Sequence, residues 1–294
     1  MEFPTGRGRY ALFGLLVVIW GLNYLFVKAG LADSAPLWLA TLRAGIGALG
    51  IAVLLLSPAV RGSLDSRGRR DALLIGVPTT GLFFGLWFLA AGLVLPGVAA
   101  VVIYTFPLWV ALLSSPVLHQ SLGVRAWAAV AGGFAGVTLL AQPWQSSGSP
   151  VPLIALFELL GGALCWAIGT VVFQRRFRPT EFPAANVYQM IGGAVTLLAA
   201  SLAFEYREFP SLSPELTGIV LWLGLVGTAL AYAIWYGLLA RTRAATLSAY
   251  VFLVPIVALV ASAIVFDERL AAIQILGVGV VLLSLYFLGT KVSR

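Results

Sequence analysis

The chain has 294 residues, of which 61% are hydrophobic and 10% charged, with a formal net charge of +7. Average soluble domains carry about 25% charged residues, which excludes a soluble domain of ordinary size here. One histidine and one cysteine exclude a zinc site, a Cys/His nucleophile and a disulfide framework within the chain.

Apolar runs of membrane-spanning length follow one another from the start. The first, 10–29, follows Arg7 and Arg9 and lacks a small-residue cleavage pattern, so it reads as a retained span rather than a signal peptide. Pro36 opens the second, 36–56, and Pro58 closes it. The third and fourth, 71–92 and 97–118, are divided by little more than Pro96. The fifth, 123–141, ends at the turn-rich run QPWQSSGSP, 142–150. The sixth, 152–173, and the seventh, 184–203, flank Pro179 and Pro183. The last three are 215–239, 244–265 and 270–289. At about 20 residues per helix, ten spans leave only short loops.

Basic residues test the count. With the N-terminus inside, 14 of the 18 Lys and Arg fall in cytoplasmic segments, among them Arg61, Arg67, Arg175, Arg176, Arg241 and Arg243. Outside loops hold Arg207 and Arg269 amid Asp33, Glu205, Glu208, Glu215, Asp267 and Glu268. Cytoplasmic loops are enriched in Lys and Arg, and one span more or fewer would erase the bias. Both termini are expected in the cytoplasm.

The halves repeat each other. A shift of 148 puts Trp87 on Trp235 and Pro107 on Pro255 without a gap; shifts of 146 and 147 put Trp20 on Trp166 and Gly45 on Gly192. Five spans per half means that the second copy enters the bilayer from the opposite side, a recurring build of secondary transporters. The fold class expected is an all-α integral membrane protein, with ten transmembrane helices as two inverted five-helix repeats, 1–145 and 146–294.

Polar groups within hydrocarbon need a reason. Lys28 is near the outer end of its span and reads as snorkelling to the interface. Arg43, seven residues past Pro36, and Glu158, eight past Pro150, lie at similar depth and read as a structural ion pair. A proton-coupling role for Glu158 is the alternative. Trp20 and Trp166 lie too deep for interfacial anchors. Asn23 shares a face with Trp20, and Tyr232 with Trp235. Tyr104 and Phe252 each stand three residues before Pro107 and Pro255. An aqueous cavity with mixed aromatic and hydrogen-bonding walls would satisfy these groups, the other reading being ordinary helix packing. The candidate substrate-binding set is therefore Trp20, Asn23, Trp87, Tyr104, Trp166, Tyr232, Trp235 and Phe252, with Pro107 and Pro255 as hinges. Gly81/Gly85 and Gly132/Gly136 have the spacing of close helix packing. Cys165 reads as a packing residue and His119 as a solvated residue at a cytoplasmic helix end.

Trp20-Gly21-Leu22-Asn23, Leu42-Arg43, the proline-centred fourth and ninth spans, and the turn FDERL at 266–270 before Gly277 resemble the drug/metabolite transporter superfamily, in its ten-span EamA-like branch. The first half has His119-Gln120-Ser121-Leu122 in place of that acidic turn. Within the branch, Tyr104 before Pro107, Trp166 after GGALC, and the Tyr232/Trp235 segment are similar to the aromatic amino-acid exporter type known as YddG. That resemblance implies a central cavity open to one side, lined by helices one to four and six to nine, with the fifth and tenth at the periphery. It also implies Tyr104, Trp166, Tyr232 and Trp235 as cavity residues.

The expected function is a secondary transporter of a bacterial inner membrane, exporting small amphipathic metabolites, most of all aromatic or apolar amino acids, by alternating access. The alternatives are a cationic-drug or nucleotide-sugar transporter. A nucleotide-sugar favours Lys or Arg clusters, and a cation a central carboxylate, for which Glu158 is the sole candidate. An intramembrane enzyme is the remote alternative, since no HExxH, GxSxG or paired membrane Asp appears. No cofactor, metal or nucleic acid is expected; the partners are the small-molecule substrate and the bilayer, with a monomer or weak dimer as the assembly.

Overall fold

The computed structural model describes residues 7–94, 96–120, 123–141, 152–266 and 271–289. Every regular element among them is helical. In chain order these are α1 (Arg7–Asp33), α2 (Pro36–Ala52), α3 (Ser66–Ala91), α4 (Pro96–Ile103 with Phe106–Leu118) and α5 (Val124–Ala141). The second half runs α6 (Leu153–Arg176), α7 (Phe182–Phe204), α8 (Pro214–Leu239), α9 (Ala244–Tyr250 with Val254–Phe266) and α10 (Ala272–Gly289). Eight are long and apolar enough to cross a membrane, while α5 and α10 hold shorter apolar stretches. Each expected span falls on one of these ten helices. The turn residues 267–270, the run 142–150, Ser121, Leu122 and the 145/146 division between repeats lie outside the described residues.

Local chemistry sets the ends. Pro36 and Pro214 occupy first-turn positions, where a missing N–H removes nothing. Ser213 caps α8 by accepting from Leu216 N–H at 3.1 Å, and Asp65 caps α3 by accepting from Gly68 N–H at 2.7 Å. His119 ends α4 with φ 54°, the left-handed conformation that often closes a helix.

The packing carries the duplication. α1 lies on α9 and α6 on α4; α2 lies on α8 and α7 on α3; α5 lies on α10. Exchanging the two halves maps this set of pairs onto itself, so most of the interior is an interface between halves. Small residues permit the approach. Gly76 on α3 abuts the Gln189 carbonyl of α7, and Gly192 abuts the Leu73 backbone. Gly132 and Gly136 receive Ser284 and Val281 of α10, as their spacing suggests.

Four interruptions also pair up. α3 widens to a π-helix over Val77–Leu82 and α8 over Trp222–Leu230. α4 breaks at Tyr104–Thr105 and α9 narrows to a 3-10 turn at Val251–Leu253. Pro107 and Pro255 each sit in the first turn after their break, where proline is tolerated. Both lie at the break rather than inside an unbroken kinked helix.

Candidate functional site

These breaks surround a central cavity. It is lined by Trp20, Asn23 and Tyr24 of α1, Arg43 of α2, Phe83, Phe84 and Trp87 of α3, and Ile103 and Tyr104 of α4. Trp166 of α6, Tyr232 of α8 and Val251 of α9 complete the wall. Seven helices from both halves contribute; α5 and α10 do not.

Trp166 lies between two nearly parallel rings. It stacks on Phe106 at 3.7 Å and on Phe83 at 4.9 Å, both at 14° between planes. Trp20 meets its edge at 5.6 Å and Trp235 approaches at 5.9 Å. Trp20 also contacts Trp235 at 5.5 Å and Tyr232 at 6.3 Å. On the other side Trp87 lies 5.5 Å from Tyr24 and stacks on Phe83 at 5.8 Å. Offset and edge-on geometries of this kind are each worth about 0.5–1.5 kcal/mol beyond the area they bury.

Polar groups are few and specific. Asn23 donates from Nδ2 to the Gly227 carbonyl at 3.2 Å, inside the π segment of α8. Arg43 donates from Nε to Thr228 Oγ1 at 2.9 Å and from Nη2 to the same Gly227 carbonyl at 3.4 Å. Thr228 Oγ1 donates to the Leu223 carbonyl at 2.8 Å, the five-residue reach that a π turn permits. The Arg43 guanidinium lies 4.2 Å over the Phe84 ring and 5.5 Å from Trp87, within cation–π range. Asn23 Oδ1, Arg43 Nη1 and Trp166 Nε1 are buried without hydrogen-bond partners.

Six of the eight candidate binding residues line this cavity: Trp20, Asn23, Trp87, Tyr104, Trp166 and Tyr232. Trp235 stands behind the wall, in ring contact with Trp20 and Trp166. Phe252 does not reach the cavity. The 3-10 turn rotates it against Gly133 of α5, and Val251 faces inward in its place. The expected ion pair of Arg43 with Glu158 is absent. Arg43 points between α3 and α8, whereas α6 packs on α3 and α4, and Glu158 Oε2 has no hydrogen-bond partner. The two side chains face different neighbours. Lys28 is exposed on α1.

The central cavity that the resemblance implied is narrow here. The cavity holds about 40 Å³, room for a water or so, against roughly 300–1,000 Å³ for small-molecule sites. Tyr104 and Trp166 are 3% and 5% exposed. The cavity is therefore narrow in this structure. Sequence reasoning missed Tyr24, Phe83 and Phe84 as wall residues, yet they lie i+4 from Trp20 and i−4 and i−3 from Trp87, on the same helix faces.

At the end of α7, Glu205 caps the start of α2. Its two carboxylate oxygens accept from Leu37 N–H at 3.1 Å and Trp38 N–H at 3.0 Å, and its carbonyl accepts from Trp38 Nε1 at 2.7 Å. Burial raises the Glu205 pKa above the usual carboxylate range; the two N–H bonds oppose that and nearby Glu208 adds to it. At the opposite end, Arg176 of α6 bonds Asp71 of α3 at 2.7 Å.

A sequence profile of the EamA-like transporter family matches residues 9–142 and again residues 153–290. The inner membrane transporter YedA of Escherichia coli K12 is 30% identical over 285 residues, covering 93% of this chain and 88% of that one. A probable amino-acid metabolite efflux pump of the same organism is 27% identical over 283 residues, covering 92% and 91%. A solved crystal structure superposes with a TM-score of 0.79 at 17% identity, covering 95% of this chain and 97% of that one. At that identity it speaks for the fold alone.

Proposed function

Because the chain belongs to the EamA-like transporter family, we propose that it is an inner-membrane exporter of amino acids and related small amphipathic metabolites. The observation that carries the reading is the aromatic cavity between the two halves, with Trp20 and Trp166, from matching places in the repeats, meeting at 5.6 Å. Flat apolar side chains suit such walls, and the ring faces attract an ammonium group. The two relatives support the location and the cargo class: one is named an inner membrane transporter and the other an amino-acid metabolite efflux pump.

Transport proceeds by alternating access in this proposal. The narrow cavity opens to one side and then the other as the halves rock, with Pro107 and Pro255 marking the flexing points of α4 and α9. The π segments of α3 and α8 contribute slack, since one wide turn slips to an ordinary one without unfolding the helix. Both termini are on the cytoplasmic side, and Tyr104, Trp166, Tyr232 and Trp235 belong to the transport cavity and its supporting layer. The YddG-type cargo of aromatic amino acids is the specific form of the proposal.

The test is counterflow of a panel of radiolabelled amino acids in proteoliposomes. Uptake of at least one aromatic or apolar amino acid is expected, with strong loss in Trp166→Ala and Tyr104→Ala. Unchanged flux of every amino acid in both variants overturns the assignment.

A further inference from the structure

Arg43 is 2% exposed in a protein whose interior holds few other charges. A guanidinium cannot shed its proton at ordinary pH, so burial does not neutralise it. An isolated charge at this depth is disfavoured, and natural sites supply a counter-ion. Here no carboxylate of the described residues forms an ion pair with it. Its partners are one hydroxyl, one carbonyl and the rings of Phe84, Trp87 and Phe88. All are neutral, and together they fix the plane of the guanidinium while leaving Nη1 without a partner in a residue that lines the cavity. The second repeat places Met190 where the first places Arg43, so the charge polarises an otherwise pseudo-symmetric hollow. Of the other lining residues, Trp166 carries a second donor without a partner at Nε1, and Asn23 an acceptor without one at Oδ1, which packs against Gly227.

We propose that Arg43 is the anion-recognition residue of the transport cavity and that the cargo carries a carboxylate, which accepts from Arg43 Nη1. The proposal rests on the transporter reading above and narrows its substrate class. Arg is suited to the task because its planar donors match carboxylate geometry and its partners hold it in place before binding. The rings take the apolar body and their faces attract an ammonium. Cationic cargo without an acid group is repelled by the same charge.

Three ligands differing in one group decide the matter: phenylalanine, 3-phenylpropionate and phenethylamine. Purified wild type, R43Q and R43K are titrated by intrinsic tryptophan fluorescence, which the cavity indoles report, and each is assayed for flux in proteoliposomes. Wild type is expected to bind and carry the two carboxylates and not the amine. R43Q weakens both carboxylates by about tenfold or more, the size of one lost charge-assisted bond. R43K retains part of the affinity. Equal handling of amine and acids by wild type overturns the inference and leaves the exporter reading standing. So does a folded R43Q that lowers all three alike, or none. If R43Q does not fold, R43K and the wild-type ligand series still decide. Arg43-dependent carboxylate binding without any wild-type flux upholds the inference and overturns the exporter reading. Neither binding nor flux overturns both.

Discussion

Trp166 separates packing from recognition in one side chain. Trp166→Ala deletes an indole held between Phe106 and Phe83 at 3.7 and 4.9 Å. Large-to-small changes of this kind cost about 3–5 kcal/mol. At about 2–4 °C per kcal/mol the melting temperature falls on the order of 10 °C. Trp166→Phe is a different perturbation. It keeps a ring in both stacks and removes an Nε1–H that is buried without a partner. Relief of an unsatisfied donor is worth about 1–3 kcal/mol, offsetting a hole of roughly 1 kcal/mol left by the smaller ring. The melting temperature in detergent should stay within a few degrees of wild type or rise. Affinity for the transported amino acid, read by fluorescence titration, should fall by about tenfold, the loss of one hydrogen bond to cargo. A Trp166→Phe variant that melts as low as Trp166→Ala refutes the reasoning, because the indole N–H then has a structural partner. Unchanged affinity refutes the other half, because Nε1 then does not face cargo.

Other positions give independent checks. Gly76→Ala aims a methyl at the Gln189 carbonyl and should lower the melting temperature by several degrees, at about 1–3 kcal/mol for overpacking, whereas Gly45→Ala, with nothing within 4 Å, should leave it unchanged. Glu205 has a raised folded-state pKa, so its protonated form favours the folded protein; its contribution is fully present below the ordinary carboxylate pKa and is lost as pH rises through the raised value. Melting curves between about pH 4 and 7 should therefore show a larger advantage of wild type over Glu205→Ala at the acid end, and a pH-independent difference contradicts the assignment. In a Cys165→Ser background, an impermeant thiol reagent should reach a cysteine at Ser66 from the cytosol alone and one at Ser211 from outside alone; the reverse pattern sinks the orientation.

Much of the architecture was written in the sequence, for a physical reason. Hydrocarbon admits few backbone solutions, so apolar length and the placement of arginines constrain ten helices strongly. The weakly marked break at Pro96 emerged because the repeat demanded it. The site was legible where symmetry and helical spacing agree, as at Trp20 and Trp166. Phe252 shows the limit of symmetry. Its partner by repeat, Tyr104, lines the cavity, but a 3-10 turn at 251–253 changes the angular step and Val251 takes the inward place. Arg43 and Glu158 show the limit of depth as a guide. Depth along a helix follows from residue count, but direction around the bundle depends on which helices are neighbours, and α2 lies against α7 and α8 rather than α6. The π segments were hidden because one extra residue per turn leaves an apolar run apolar. Pro78 within Val77–Leu82, and Gly224, Gly227 and Thr228 within Trp222–Leu230, were the available traces.

The central claim is that a narrow hollow between two inverted halves opens to each side in turn. Val251 lines that hollow at 1% exposure, and Cys165→Ser leaves the chain free of other thiols. A cysteine at Val251 should react with an impermeant thiol reagent supplied from either face of a sealed vesicle, and a saturating transported amino acid should slow both reactions. Reaction from one face only, or no reaction from either, contradicts the account.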